Sequence, residues 1–408
     1  MDSQIAAAAR ALAQGHPLVA LNHVALRGDA PALALRGIAM ARIGDLPRAR
    51  ALLAQAGRAF GPREPVARAR CSVALAEIAL VLRDLHGVDQ ALARARAVLH
   101  TRGDRTNTAY ATYLLARLSL LTGQVERAES VLAMLDAGSL APPLAAACGL
   151  LDAGIRIRRV DAHGARAALA RAGYIAGELR MPGLTAEIRG AAAVLDKPAA
   201  RLVEAGQARA VLLDELQALF GSGALVVDAC RYAVRCAAVA LPLQTRPVLL
   251  ALARMLAEAW PDDVPRTDLL ARVFRARDPD ETHRARLRVE IGRLREKLRP
   301  LADIVATERG FLLRPAHGGA ARVCVVVPPA DIPHPAVLAL LADGQAWSSA
   351  SLAATLGASQ RTLQRWLDDL AGQGAVQPVG QGRGRRWTLP PVAGYPTDLL
   401  LTMQWAHP

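Results

Sequence analysis

THRARLRVEIGRLREKL, residues 282–298, is the stretch on which the fold turns. Leu287, Ile291, Leu294 and Leu298 fall at i, i+4, i+7 and i+11, so a helix here carries one apolar stripe for a core. The opposite side shows Arg286, Val289, Arg293 and Lys297, at i, i+3, i+7 and i+11. Arg284, Arg288, Arg295 and Arg299 flank the stripe. A helix that lies in a DNA major groove needs this layout. One face packs, and the other offers long cationic forks, since Arg binds guanine O6 and N7 bidentately. The flanking arginines suit phosphates, which position without specifying. Plain solvation is the competing reading of such a face, and Glu290, four residues after Arg286, offers an intrahelical pair.

Outward from this helix the segments keep a definite order. Short β-type runs at 225–228, 232–235 and 239–243 come first. Helical stretches follow over about 246–259, ending before Pro261, and 266–274. After the 282–298 helix, stopped by Pro300, IVATERGFLLRP (304–315) reads as a closing hairpin with Gly310 at its bend and Arg309 beside it. Strands, three helices and a hairpin over 222–315 resemble the OmpR-type winged-helix output domain of bacterial response regulators. LRVEIGRLREKL (287–298) and TERGFLLRP (307–315) carry the resemblance. It implies duplex DNA as partner, with Arg309 as a wing contact. It also implies a loop before the third helix (275–280) that can touch RNA polymerase. Glu290 and Gly292 stand where that family often has basic residues or His. No receiver domain precedes the module.

The first half of the chain reads differently. It is rich in Ala and Leu, strong helix formers, with almost no β-branched runs. GDLPRARALLAQA (44–56), GVDQALARARAVL (87–99), GQVERAESVLAML (123–135) and VDAHGARAALARA (160–172) are variants of one phrase. Each follows another apolar helix. With Ala49, Ala91, Ala128 and Ala165 taken as equivalent, the intervals are 42, 37 and 37 residues. Paired helices at this period resemble tetratricopeptide-type repeats. The expected fold class is therefore mainly α: an α-solenoid over 1–205, then two winged-helix modules. A solenoid face takes a protein, peptide or small-molecule effector, or serves as a homodimer platform. Repeats joined to an OmpR-type module resemble the SARP-type activators, in reversed order.

Residues 334–390 read as the second module. A helix begins near Pro335, and SSASLAATLGASQRTLQRWLDDLAGQG (348–374) reads as helix, turn at Gly357, helix, with Ser359 as a cap. Leu363, Trp366, Leu367 and Leu370 form the packed face, while Arg361, Gln364 and Arg365 point away. VQPVGQGRGRRWTL (376–389) is a hairpin whose Arg383, Arg385 and Arg386 suit phosphates or a minor groove. This resembles a winged helix-turn-helix of the DeoR type. Trp347, Trp366 and Trp387 read as core. ARVCVVVPPADIP (321–333) reads as a linker between the modules, and 391–408 as a docking tail.

Composition narrows the function classes. The 408 residues hold 50 Lys+Arg against 36 Asp+Glu, a formal net charge of +14, which suggests an anionic partner. Only Lys197 and Lys297 are lysines, so an arginine coding bias explains part of the excess. Aromatics, at 3 %, are too few for a base-stacking RNA-binding sheet. No apolar run reaches a membrane span, and MDSQIAAAARALAQGH lacks a basic region before its apolar part, so a cytoplasmic location is expected. Five scattered cysteines make no disulfide framework. Cys230 and Cys236, six apart, read as buried structural residues with a redox switch as the lesser alternative. Phosphate-loop, dinucleotide, nucleophile-elbow and zincin motifs are missing, so no enzyme, cofactor or metal is expected. The resulting expectation is a DNA-binding regulator, leaning to activation. The alternative is a scaffold whose modules all bind proteins.

Overall fold

A computed structural model of the chain describes residues 2–82, 84–85, 87–122, 124–274, 280–316, 322–328, 334, 337–338, 341, 347–356, 358–380, 382 and 385–389. The fold is mainly helical. Eleven helices come first: α1 (Ser3–Ala13), α2 (Pro17–Val24), α3 (Ala30–Arg42), α4 (Leu46–Ala59), α5 (Pro65–Leu82), α6 (Val88–Thr101), α7 (Arg105–Leu121), α8 (Val125–Leu132), α9 (Pro142–Arg159), α10 (Ala162–Glu178) and α11 (Pro182–Leu195). Each packs against the next. Among the described residues no helix is long and apolar enough to cross a membrane.

The turns explain the helix starts. Asp45, Asp104 and Asp161 each accept a backbone N–H as N-caps of α4, α7 and α10. The residue before each cap takes the left-handed conformation. Gly44 (φ 92°) and Gly103 (φ 74°) do so freely, while Val160 (φ 61°) does so under strain.

Burial corrects the assumed equivalence of the phrases. The i, i+3, i+4, i+7 pattern facing the core is Ala49-Leu52-Leu53-Ala56 in α4 and Ala165-Ala168-Leu169-Ala172 in α10. In α6 the same pattern runs through Val88, Ala91, Leu92 and Ala95, with Ala91 only half-buried. Val88, not Ala91, is therefore the counterpart of Ala49, and the intervals become 39, 40 and 37 residues. Within the apolar interior, Glu77 of α5 and Arg117 of α7 are fully buried 3.8 Å apart, next to the stacked rings of Tyr110 and Tyr113.

The helical run ends at Leu195, and residues 200–204, inside the range read as helical, form a strand. A six-stranded sheet follows, with order β2-β1-β9-β3-β4-β5. Its members are β1 (Ala200–Glu204), β2 (Gln207–Val211), β3 (Leu225–Asp228), β4 (Ala233–Cys236), β5 (Val239–Pro242) and β9 (Val323–Val327), with α12 (Leu213–Gly221) between β2 and β3. The linker reading of 321–333 is thus overturned over Val323–Val327. All five of these residues are buried, antiparallel to β1 and parallel to β3. VCVVV is a continuous apolar run, β-branched at four of its five positions, which is how a strand covered on both faces reads.

The sheet is a wall between two cores. Leu225, Val227, Val323, Val325 and Val327 face the C-terminal core. Leu202, Val226, Cys324 and Val326 face the core built by α9, α10, α11 and α12. Cys230 lies in the turn beyond β3, whereas Cys236 ends β4 opposite Leu225 and its thiol donates to the Gly223 carbonyl. The two thiols sit at opposite ends of one hairpin. Burial pushes that of Cys230 up to about 12, so the redox alternative has no support here.

The remaining elements are α13 (Pro247–Ala259), β6 (Val264–Pro265), α14 (Arg266–Val273), α15 (Glu281–Leu298), β7 (Ala302–Ala306), β8 (Gly310–Pro315), α16 (Ser349–Leu356), α17 (Gln360–Gly372), β10 (Gln377–Val379) and β11 (Arg386–Thr388). β6, β8 and β7 make a three-stranded sheet, and β10 pairs β11. Val337, Leu341, Leu352, Leu363, Leu367, Leu370 and Trp387 belong to the same buried cluster as the α13 and α15 leucines. One core therefore runs through both C-terminal segments. Arg383, the turn at Gly357, loop residues 275–279 and the tail 391–408 lie outside the described residues.

Candidate nucleic-acid interface

α15 begins at Asp280, whose carboxylate accepts the His283 backbone N–H at 2.9 Å and lies 2.6 Å from the His283 ring Nδ1. These contacts, the backbone N–H first, hold the Asp280 carboxyl below the usual carboxylate range. The predicted stripe is the packed one, with Leu287, Ile291, Leu294 and Leu298 at 0–3 % exposure.

Two residues along a helix turn it by about 200°. The stripe displaced by two positions is therefore the outward ridge: Ala285, Val289, Gly292 and Glu296. All four are exposed. Two rows of cations border this ridge, Arg286, Arg293 and Lys297 on one flank and Arg284, Arg288, Arg295 and Arg299 on the other. Val289 thus stands on the ridge, and the three cations grouped with it in the sequence stand beside it. The ridge members Ala285 and Glu296 escaped the sequence reading, which looked for charge, and Gly292 was noted there only as a departure from the resembling family; the same periodicity arithmetic finds all three.

The flanking cations differ in freedom. The Arg286 guanidinium lies over the Phe274 ring, 5.1 Å from its centroid, and does not pair with Glu290 as its spacing suggested. Glu290 pairs with Arg293 instead, at 2.7 Å. Arg288 binds Glu281, which also lies 3.7 Å from Arg284. Arg295 turns toward the hairpin, where its Nε and Nη2 both donate to the Ile304 carbonyl, at 2.9 and 2.6 Å. It ties α15 to β7 as well as bordering the ridge. Arg299 and Arg295 line a cavity of about 600 Å³ with Arg314, opposed by Glu296 and Asp303. Strand alternation, with Leu313 inward and Arg314 outward, was the available signal for Arg314.

The hairpin turn is clamped. Arg266, at the start of α14, donates to the carbonyls of Glu308 (2.8 Å) and Thr307 (3.0 Å), and Thr307 Oγ1 donates to Asp263 at 2.5 Å. Gly310 is the first residue of β8 and not the bend. A Cβ there would lie 1.7 Å from the Val264 carbonyl oxygen, so only glycine lets β6 pair this closely. Arg309 projects from the turn, 72 % exposed and 3.7 Å from Asp263.

In the second segment Ser359 caps α17 by accepting the Thr362 N–H at 3.0 Å, as its position implied. Leu363, Leu367 and Leu370 are fully buried. The same displacement by two gives an outward ridge of Arg361, Arg365 and Asp368, with Gln364 beside it donating to Asp368 at 2.8 Å. Here the ridge itself carries arginines. Trp387 is fully buried and donates to Ser349 Oγ at 3.0 Å, while Trp347 and Trp366 are partly buried against the same core. The Arg385 guanidinium lies 4.4 Å from the Trp387 ring centroid, and Arg386 is exposed on β11. Among the described residues no cluster of His, Cys, Asp or Glu has metal-binding geometry.

In comparisons with known proteins, no family model matches the chain, and neither a curated protein nor a solved structure matches it.

Proposed function

We propose that this chain is a sequence-specific regulator of transcription that binds double-stranded DNA through two winged-helix modules, while an N-terminal α-solenoid of tetratricopeptide-like repeats receives a signal or makes an oligomer. The observation that carries this reading is the surface of α15, a ridge of Ala285, Val289, Gly292 and Glu296 between two rows of cations. That shape fits a major groove. The ridge enters, and the rows meet the phosphates on either wall.

Base reading then falls to the ridge. Ala285 and Val289 suit a thymine methyl, Gly292 allows close approach, and the Glu296 carboxylate accepts from cytosine N4. Arg286, Arg293, Lys297, Arg284, Arg288 and Arg299 serve phosphates, with Arg309 and Arg314 extending the contact. In α17 the assignment reverses: Arg361 and Arg365 reach guanine edges, and Arg385 and Arg386 bind backbone. Two unlike helices imply two unlike adjacent elements in the site.

Selection from random duplexes by the whole protein, followed by salt titration, tests this. An enriched non-palindromic site is expected, with affinity falling steeply as salt rises. Arg293→Ala should reduce the salt slope by about 1. Val289→Ser should leave the slope unchanged and relax preference at one base pair by about 1 kcal/mol. A flat salt response with no enriched sequence replaces this reading with the protein-binding scaffold.

A further inference from the structure

The helical half holds a second site, independent of the DNA reading. A cavity of about 550 Å³ opens between α6, α7 and the segment after α8, within the range of small-molecule pockets. Arg96 and His100 of α6 and Arg105 of α7 line it, with Met134, Leu135 and Leu140 across from them. Met134 is 61 % exposed, an apolar side chain left in the open.

The cations here lack what their neighbours have. Arg50, Arg70, Arg127 and Arg159 each pair with a carboxylate. Arg96 makes its polar contact with the thioether of Met134, at 3.7 Å, a weak acceptor. Among the described residues, neither Arg96, His100 nor Arg105 has a recorded ion pair. The acid on the lining, Asp136, accepts the Gly138 N–H at 3.1 Å. Thr108 and Thr112, also on the lining, donate their hydroxyl protons to the carbonyls of Asp104 and Thr108.

Two guanidiniums against one carboxylate leave an excess of positive charge on the lining. The apolar wall faces that charge. The geometry points to a binding site for a small amphipathic monoanion, an organic carboxylate whose head meets Arg96 and Arg105 and whose hydrocarbon body covers Met134, Leu135 and Leu140. Inorganic phosphate, which has no apolar body, leaves that wall uncovered. Methionine suits the wall because its flexible thioether adapts to the shape of what covers it.

Calorimetry on the whole protein with octanoate, octanamide and inorganic phosphate tests the site. Octanoate should bind saturably, and octanamide and phosphate at least about tenfold more weakly. The double variant Arg96→Gln and Arg105→Gln should lose octanoate binding by about tenfold or more, with the unliganded melting temperature unchanged, because among the described residues neither guanidinium pairs with a carboxylate. Met134→Glu, which places a negative charge on the wall, should weaken octanoate similarly. No saturable octanoate binding below about 10 mM overturns the proposal. So does binding that survives the arginine replacements, or phosphate binding as tightly as octanoate. None of these outcomes bears on duplex binding, which the selection measures separately.

Discussion

Cys324 and Val325 are consecutive, both fully buried, and face different cores: Cys324 belongs to the core of α9, α10 and α11, and Val325 to that of the α13 and α15 leucines. The strand that holds them joins what the sequence presents as separate modules. The N-terminal helices and the C-terminal segments share a wall, so packing strain on one side reaches the other through a single backbone.

Val325→Ala should therefore destabilise the whole chain. Burial of this side chain is worth about 1–3 kcal/mol. Helical circular dichroism and the fluorescence of the tryptophans, all of which lie beyond residue 259, should lose stability together in urea, with coincident midpoints. Separate midpoints would show that the wall does not couple the two cores.

Gly310→Ala should cost about 3 kcal/mol or more, because the new Cβ would sit 1.7 Å from the Val264 oxygen and β6 must give way. Gly190→Ala, on an exposed face of α11 with open space around it, is the control. It should stabilise by about 0.5–1 kcal/mol. Chemical denaturation of both variants checks the contrast.

Arg117→Met leaves the Glu77 carboxylate buried without its cation and should cost about 3–5 kcal/mol. Adding Glu77→Leu should recover most of that loss. A double variant as unstable as the single would mean that the packing of these side chains, and not their charge, is what the core requires.

In the second segment, Arg361→Ala should relax preference at a guanine position by about 1–3 kcal/mol. Arg385→Ala should weaken all duplexes alike and reduce the salt slope by about 1. Ser359→Ala should cost about 1 kcal/mol of stability by removing the cap of α17. Binding measured on selected and scrambled duplexes separates the two arginine effects.

Acid should loosen the start of α15. Asp280 is held below the ordinary carboxylate range in the folded chain, so its stabilising contact is present above the unfolded value of about 3.9 and is lost as pH falls through the lower folded value. Duplex affinity is expected to be insensitive to this group at neutral pH. Titration of the Asp280 carboxyl by nuclear magnetic resonance checks the direction.

Most elements were legible because their signals are local. The α15 stripe is a four-residue periodicity, Ser359 is a cap one residue before its helix, and the four Ala-rich phrases are the helices α4, α6, α8 and α10. What escaped depends on distant partners. Nothing near Val323–Val327 says that β1, over a hundred residues earlier, lies beside it. The clamp by Arg266 on the hairpin turn is a contact across some forty positions. The ridge of α15 was hidden for a different reason. A search for arginine passes over Ala285 and Gly292, whose contribution is the space they leave.

The late arrival of β9 has a cost during synthesis. β1 and β3 leave the ribosome with a slot between them, and about 95 further residues must follow before Val323–Val327 can fill it. At about 5–20 residues per second that is at least several seconds with two unsatisfied strand edges open to other chains. A nascent chain stalled before residue 323 should thus be the aggregation-prone species, and a fragment cut there should need a chaperone that the whole protein does without.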